Sequence, residues 1–128
     1  MQKYLDVLIA DDQKDICELY VDYLEAMGIF RNIIVCNDGI DAEKKLRNQS
    51  FSLIILDINM PKKNGMVIIE SFVNYPMNQL DKVIIISGEL DKHVLAQALQ
   101  KGVKHFLVKP FDQESFAKKV AQLFDKKS

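Results

Sequence analysis

The sequence predicts a doubly wound α/β fold, a parallel five-stranded sheet with helices on both faces. Three observations predict it. Short apolar runs rich in β-branched residues recur along the chain, and segments of helical period separate them. The runs are continuous rather than alternating, as befits strands buried on both faces. Strands that alternate with helices take right-handed crossovers and pair in parallel.

The elements follow in order. Residues 4–10, "YLDVLIA", form the first strand. Ile16, Leu19, Tyr20, Tyr23, Leu24 and Met27 keep helical spacing after it, and Gly28 is a natural stop. Residues 32–36, "NIIVC", form the second strand, with Ala42 and Leu46 marking a weaker helix. Residues 53–56, "LIIL", form the third, and its helix runs from about residue 65 to 75, closed by Pro76. Residues 83–87, "VIIIS", form the fourth; Val94, Leu95, Ala98 and Leu99 carry a helix that Gly102 ends. Residues 105–109, "HFLVK", form the fifth, followed by a helix on Phe116, Val120, Leu123 and Phe124.

The 128 residues suit one domain spanning 1–128, with a short flexible tail at 125–128. A composition of 48% hydrophobic and 27% charged residues is that of an ordinary globular protein. The net charge of -1 argues against nucleic-acid or anionic-membrane partners. No apolar stretch approaches the ~20 residues of a membrane span, and the acidic start is unlike a signal peptide. Cys17 and Cys36 are too few for a disulfide scaffold, and no Cys/His cluster has metal spacing. These features lead us to expect a reduced, cytoplasmic protein.

In an open sheet of this kind, ligands sit beyond the carboxyl ends of the strands. Asp11 and Asp12 follow the first strand, Asp57 the third; Ser87 ends the fourth and Lys109 the fifth. Each alone has an ordinary structural role. Asp11 or Asp12 suits a helix cap, Ser87 before Gly88 a turn, and Lys109 a solvated strand end. Together they place three carboxylates, a hydroxyl and an ammonium on one edge.

Three close carboxylates repel one another, which raises their pKa values unless a cation is present. Mg²⁺ suits a site of few carboxylates that leaves room for water. A lysine adds a point charge suited to a phosphoryl oxygen. A carboxylate between Mg²⁺ and lysine is a nucleophile toward phosphorus, with both cations offsetting charge on the transferring group. Asp57 fits that role best, because its strand should be central. Surrounding cations would explain why an aliphatic strand ends on a carboxylate.

These segments resemble the receiver domains of two-component response regulators, over a span from Leu5 to about Phe124. "VLIADDQKD" is similar to the family's acidic-pair segment and "LIILDINMPKKNG" to its phosphoacceptor loop. "VIIISG" is similar to the hydroxyl switch segment and "GVKHFLVKPF" to the lysine segment. The resemblance implies a flavodoxin-like (βα)5 fold, with the strand order 2-1-3-4-5 of the family's chemotaxis regulator. It implies Asp57 as phosphoacceptor. Mg²⁺ would be held by Asp12, Asp57 and the backbone carbonyl of Asn59, with Asp11 acting largely through water. Lys109 would bind the phosphoryl group, and its bond to Pro110 would be cis. Ser87 and Phe106 would be the switch pair.

Some positions depart from the family pattern. Ser87 stands where threonine is common and Gly88 where alanine is frequent. Phe106 takes the place of a frequent tyrosine and lacks its hydroxyl. Val103, Lys104 and His105 replace small and acidic residues, which weakens the analogy to dimerising transcription-factor receivers. Phe111, Met60 and Met66 read as packing residues, and His93 and His105 lie on different elements, away from metal-ligand spacing. Lys118, Lys119, Lys126 and Lys127 read as a solvated face and tail.

The expected function is a free-standing, monomeric receiver that is a switch rather than an enzyme acting on a separate substrate. It would take phosphate from the phosphohistidine of a sensor histidine kinase or phosphotransfer domain. An effector protein would then bind the face of the fourth helix, fifth strand and fifth helix, and a phosphatase could reset it. Asn59 and Glu89 favour a chemotaxis-like role; a phosphorelay intermediate is the alternative. A Mg²⁺-dependent aspartyl-phosphate phosphohydrolase is more remote, since Asn59 stands where a second carboxylate is usual. The acidic loop "ADDQKD" would repel FMN, against an electron carrier.

Overall fold

The apolar runs become five strands of one parallel sheet: β1 (Leu5–Ala10), β2 (Phe30–Cys36), β3 (Leu53–Asp57), β4 (Val83–Ser87) and β5 (His105–Val108). Helices α1 (Lys14–Met27), α2 (Gly39–Asn48), α3 (Gly65–Glu70), α4 (Lys92–Lys101) and α5 (Gln113–Phe124) connect or follow them. This computed structural model describes residues 5–60, 62–88 and 92–125. The strand order is β2-β1-β3-β4-β5, the expected flavodoxin-like arrangement. The expectations on Tyr4, Glu89, the loop up to Asp91, Lys126, Lys127 and the tail beyond Asp125 lie outside the described residues.

Alternate residues of each strand serve opposite faces. Leu8, Ile54, Leu56 and Ile85 pack with Ala42, Leu46, Ile68 and Ala98 on the side of α2, α3 and α4. Val7, Ile9, Ile55 and Ile86 pack with Tyr20, Leu24, Phe116 and Val120 on the side of α1 and α5. Every residue of β3 and β4 is buried, each large aliphatic contributing about 1.5–3 kcal/mol. The register pairs Ala10 with Leu56, Asp57 with Ile86 and Ser87 with Val108, which brings the strand ends level. Cys17 and Cys36 are free thiols buried on opposite faces. Among the described residues, no helix is long and apolar enough to cross a membrane.

Several boundaries differ from expectation. β2 starts at Phe30, two residues early, where Arg31 and Asn32 both donate to the Asp6 carboxylate. β3 takes in Asp57, and β5 stops at Val108, one residue before Lys109. The largest difference is α3, which ends at Glu70 and passes into a 3-10 turn at Phe72–Asn74. The N–H of Ser71 is shared between the carbonyls of Val67 and Ile68, and the bonds after it span three residues. The tighter winding lets Phe72 and Tyr75 both enter the core, edge to face at 5.3 Å. Leu99, read as a core position of its helix, is 52% exposed; Ala98 alone is buried in α4.

The loop after β3 is fastened to α2. Lys63 donates to Glu43 at 2.8 Å, and Lys62, in the left-handed region at φ 69, pairs with Asp38 at 3.4 Å. A Cβ on Gly39 would stand 1.7 Å from the Lys63 carbonyl oxygen, so only glycine permits this approach. Asp38, Asn64 and Asp112 cap α2, α3 and α5 through their side chains.

Candidate functional site

The fold brings the sequence-predicted carboxylates, hydroxyl and lysine to one edge of the sheet. Asp57, at the end of central β3, is only 4% exposed. Its Oδ1 accepts from the Asn59 N–H at 3.1 Å, and its Oδ2 lies 3.5 Å from Lys109 Nζ. Asp11, fully buried beyond β1, holds Lys109 more closely, with Nζ 3.0 Å from Oδ2. Lys109 also donates to Gln13 Oε1 at 2.9 Å, while its N–H donates to the Ser87 carbonyl at 2.8 Å. The Lys109–Pro110 peptide bond is cis.

Asp12 is exposed and turns into an open cleft of about 430 Å³. Gln13, Asp57, Asn59, Gly88 and Lys109 complete its lining. Ser87 is buried at the end of β4, and half-buried Phe106 packs against the core on the α4 side of the sheet. Neither Asp11 nor Asp12 is the N-cap of α1, which is Gln13; Asp11 Oδ1 accepts from the Gln13 N–H at 2.9 Å instead.

The electrostatics refine one expectation. Among the described residues one cation lines the site, Lys109, and it leans toward Asp11. Burial, then the neighbouring Asp11, pushes the Asp57 carboxyl from 3.8 up to about 6; the Asn59 N–H and Lys109 offset this only in part. Such a site has use for a further cation. Asp11, Asp12 and Asp57 each offer a carboxylate oxygen within 4.8 Å of the others. Hard oxygen donors beside a cleft with room for water fit Mg²⁺.

Two side chains at the site were not found by sequence reasoning. Gln13 directly follows the acidic pair, a position that could have marked it. Tyr20, counted as one of α1's core residues, donates its hydroxyl to Asp11 Oδ2 at 3.0 Å. Its only sequence signal is a hydroxyl on an otherwise apolar stripe.

The model for the response regulator receiver domain matches residues 7–121. The chain belongs to that family. The receiver is also similar to several solved structures. One is the CheX-CheY-BeF3-Mg²⁺ complex from Borrelia burgdorferi, at 28% identity and TM-score 0.84, covering 95% of this chain and 90% of that one. Another is the receiver domain of Francisella response regulator 1452, at 25% identity and TM-score 0.80, covering 97% and 99%. The receiver domain of a sensor histidine kinase from Pseudomonas aeruginosa, solved with a magnesium ion in its active-site cleft, shares the fold. Its identity is 18% and its TM-score 0.81, with 96% and 100% covered. Receiver domains are switches of two-component signalling that bind Mg²⁺ in an acidic site, and this receiver has such an acidic cluster.

Proposed function

We propose that this receiver accepts a phosphoryl group on Asp57 and works as a switch. The observation that carries the proposal is the position of Asp57, at the mouth of the central strand with Lys109 and two more carboxylates against it. Asp57 Oδ attacks phosphorus as the P–N bond of a phosphohistidine breaks, and the imidazole leaves with the electron pair and takes up a proton. Lys109 donates to the phosphoryl oxygens, and Ser87 offers them its hydroxyl. Asp12, Asp57 and the Asn59 carbonyl would hold Mg²⁺, with Asp11 acting through water; the ion would supply positive charge to the transferring group.

The phosphate comes from a sensor histidine kinase or a phosphotransfer domain. The surface of α4, β5 and α5 binds an effector in response, and a phosphatase resets the switch. Likeness to the Borrelia chemotaxis protein and the place of Asn59 on the cleft wall favour a chemotaxis-like role over a phosphorelay step. A cytoplasmic, monomeric protein fits this work.

Intact-mass analysis after incubation with acetyl phosphate tests the proposal. One phosphoryl mass should appear on the wild type, vanish with EDTA, and be missing from Asp57→Asn. Equal uptake by both proteins would overturn the assignment.

A further inference from the structure

We infer that Tyr20 is a positioning residue for the acidic site, its buried hydroxyl fixing the Asp11 carboxylate and, through Asp11, the ammonium of Lys109. This rests on the proposed Mg²⁺-assisted chemistry at Asp57. Tyr20 is fully buried on α1 among leucine, cysteine and phenylalanine side chains, where an aromatic ring alone would complete the packing. The hydroxyl has a separate task. It donates to Asp11 Oδ2 at 3.0 Å, and the same oxygen accepts from Lys109 Nζ, also at 3.0 Å. Asp11 Oδ1 takes the Gln13 N–H at 2.9 Å.

A carboxylate has about four lone-pair positions. Three are thus taken by donors of this chain, from three directions, which fixes the carboxylate plane and leaves room for about one further donor such as a water. That is the disposition of a group that orients a metal's water shell rather than touching the metal.

The ring is fixed as firmly as the carboxylate. It stacks on Phe111 at 5.8 Å with planes 7° apart, and on Phe116 at 5.8 Å and 18°. Phe111 lies two residues beyond Lys109. One side chain therefore touches both arms of the site, the acidic arm by its hydroxyl and the lysine arm by its ring. Without the hydroxyl, Lys109 is the one donor left to Asp11 Oδ2 among the described residues, and the carboxylate can swing with the ammonium about the oxygen that Gln13 holds.

The test is Tyr20→Phe in the full chain, with Mg²⁺ titrated by calorimetry and thermal melting followed in EDTA. The expected result is a near-unchanged melting temperature and a Mg²⁺ dissociation constant raised about threefold to tenfold, at or below the lower end of the cost of losing a group that orients a metal ligand directly. The increase should vanish when Asp11→Ala is already present. Leu46→Ala, in the core on the opposite face of the sheet, is the packing control: it should lower the melting temperature and leave Mg²⁺ affinity alone. Wild-type affinity in Tyr20→Phe overturns the inference, as does equal weakening in the Asp11→Ala background or in Leu46→Ala. A wild type that binds no Mg²⁺ overturns instead the reading of the site on which the inference rests.

Discussion

Lys109 is held by Asp11 before anything else, its Nζ 3.0 Å from Asp11 Oδ2 against 3.5 Å from Asp57 Oδ2. A carboxylate buried as fully as Asp11 needs a counter-charge. The lysine is therefore a structural cation, which on the proposed function a phosphoryl group on Asp57 would come to share.

Replacing that cation has three expected effects. Lys109→Met leaves two buried carboxylates uncompensated and should cost about 3–5 kcal/mol of stability in EDTA. It should also tighten Mg²⁺ binding, since two cations no longer repel. Phosphorylation by acetyl phosphate should slow by about tenfold or more. Urea melts, calorimetry and intact-mass time courses measure the three; weaker Mg²⁺ binding would contradict the electrostatic account.

The pH dependence follows from Asp57. Its carboxyl lies at about 6 in the fold against an ordinary 3.8. Between those values the folded protein keeps a proton that the unfolded chain has lost, so stability falls as pH rises through that window. In EDTA the wild type should lose about 1–3 kcal/mol relative to Asp57→Asn between roughly pH 4 and 6.5, and Mg²⁺ should narrow the difference. Parallel stability curves for the two proteins would refute this.

The acidic pair should divide its labour. Asp12 faces the cleft, whereas Asp11 is occupied by Gln13, Tyr20 and Lys109. Asp12→Ala should therefore weaken Mg²⁺ binding by about tenfold or more, and Asp11→Ala by less. An NMR titration of both variants ranks them, and the opposite order would show that Asp11 is the direct ligand.

Transmission should pass through Ser87. A phosphoryl group on Asp57 adds charge and acceptor oxygens, and Ser87 closes the neighbouring strand. Its movement should let Phe106 turn inward. Burying the exposed remainder of that half-buried ring is worth about 1 kcal/mol, on the scale that separates two populated states. Ser87→Ala should still be phosphorylated, but beryllofluoride should no longer shift amides at Phe106 and in α4. Shifts that spread as in the wild type would remove Ser87 from the pathway.

The sheet was legible because strands buried on both faces leave a continuous apolar signature, and β4 was read to the residue at 83–87. The five polar groups were legible because strand ends are where a parallel sheet presents its chemistry. The break in α3 was not, because helical period persists through Phe72 and Tyr75 while the backbone tightens beneath it. Nor was the hydroxyl of Tyr20. Periodicity counts tyrosine as apolar, and its partner Asp11 is set by how α1 lies across β1. The close approach of Gly39 to Lys63 likewise exists only once α2 meets the loop after β3.

The shallow seat of α4 has a consequence for the energy landscape of the chain. With only Ala98 buried, lifting this helix off the sheet uncovers little apolar surface, far less than α1 would uncover with Cys17, Tyr20 and Leu24. With half-buried Val94 as its other contact with this core, α4 should open as a unit of its own, below the global unfolding free energy. Its amides should exchange with deuterium sooner than those of α1 or α5, even in a protein whose β3 and β4 remain fully protected.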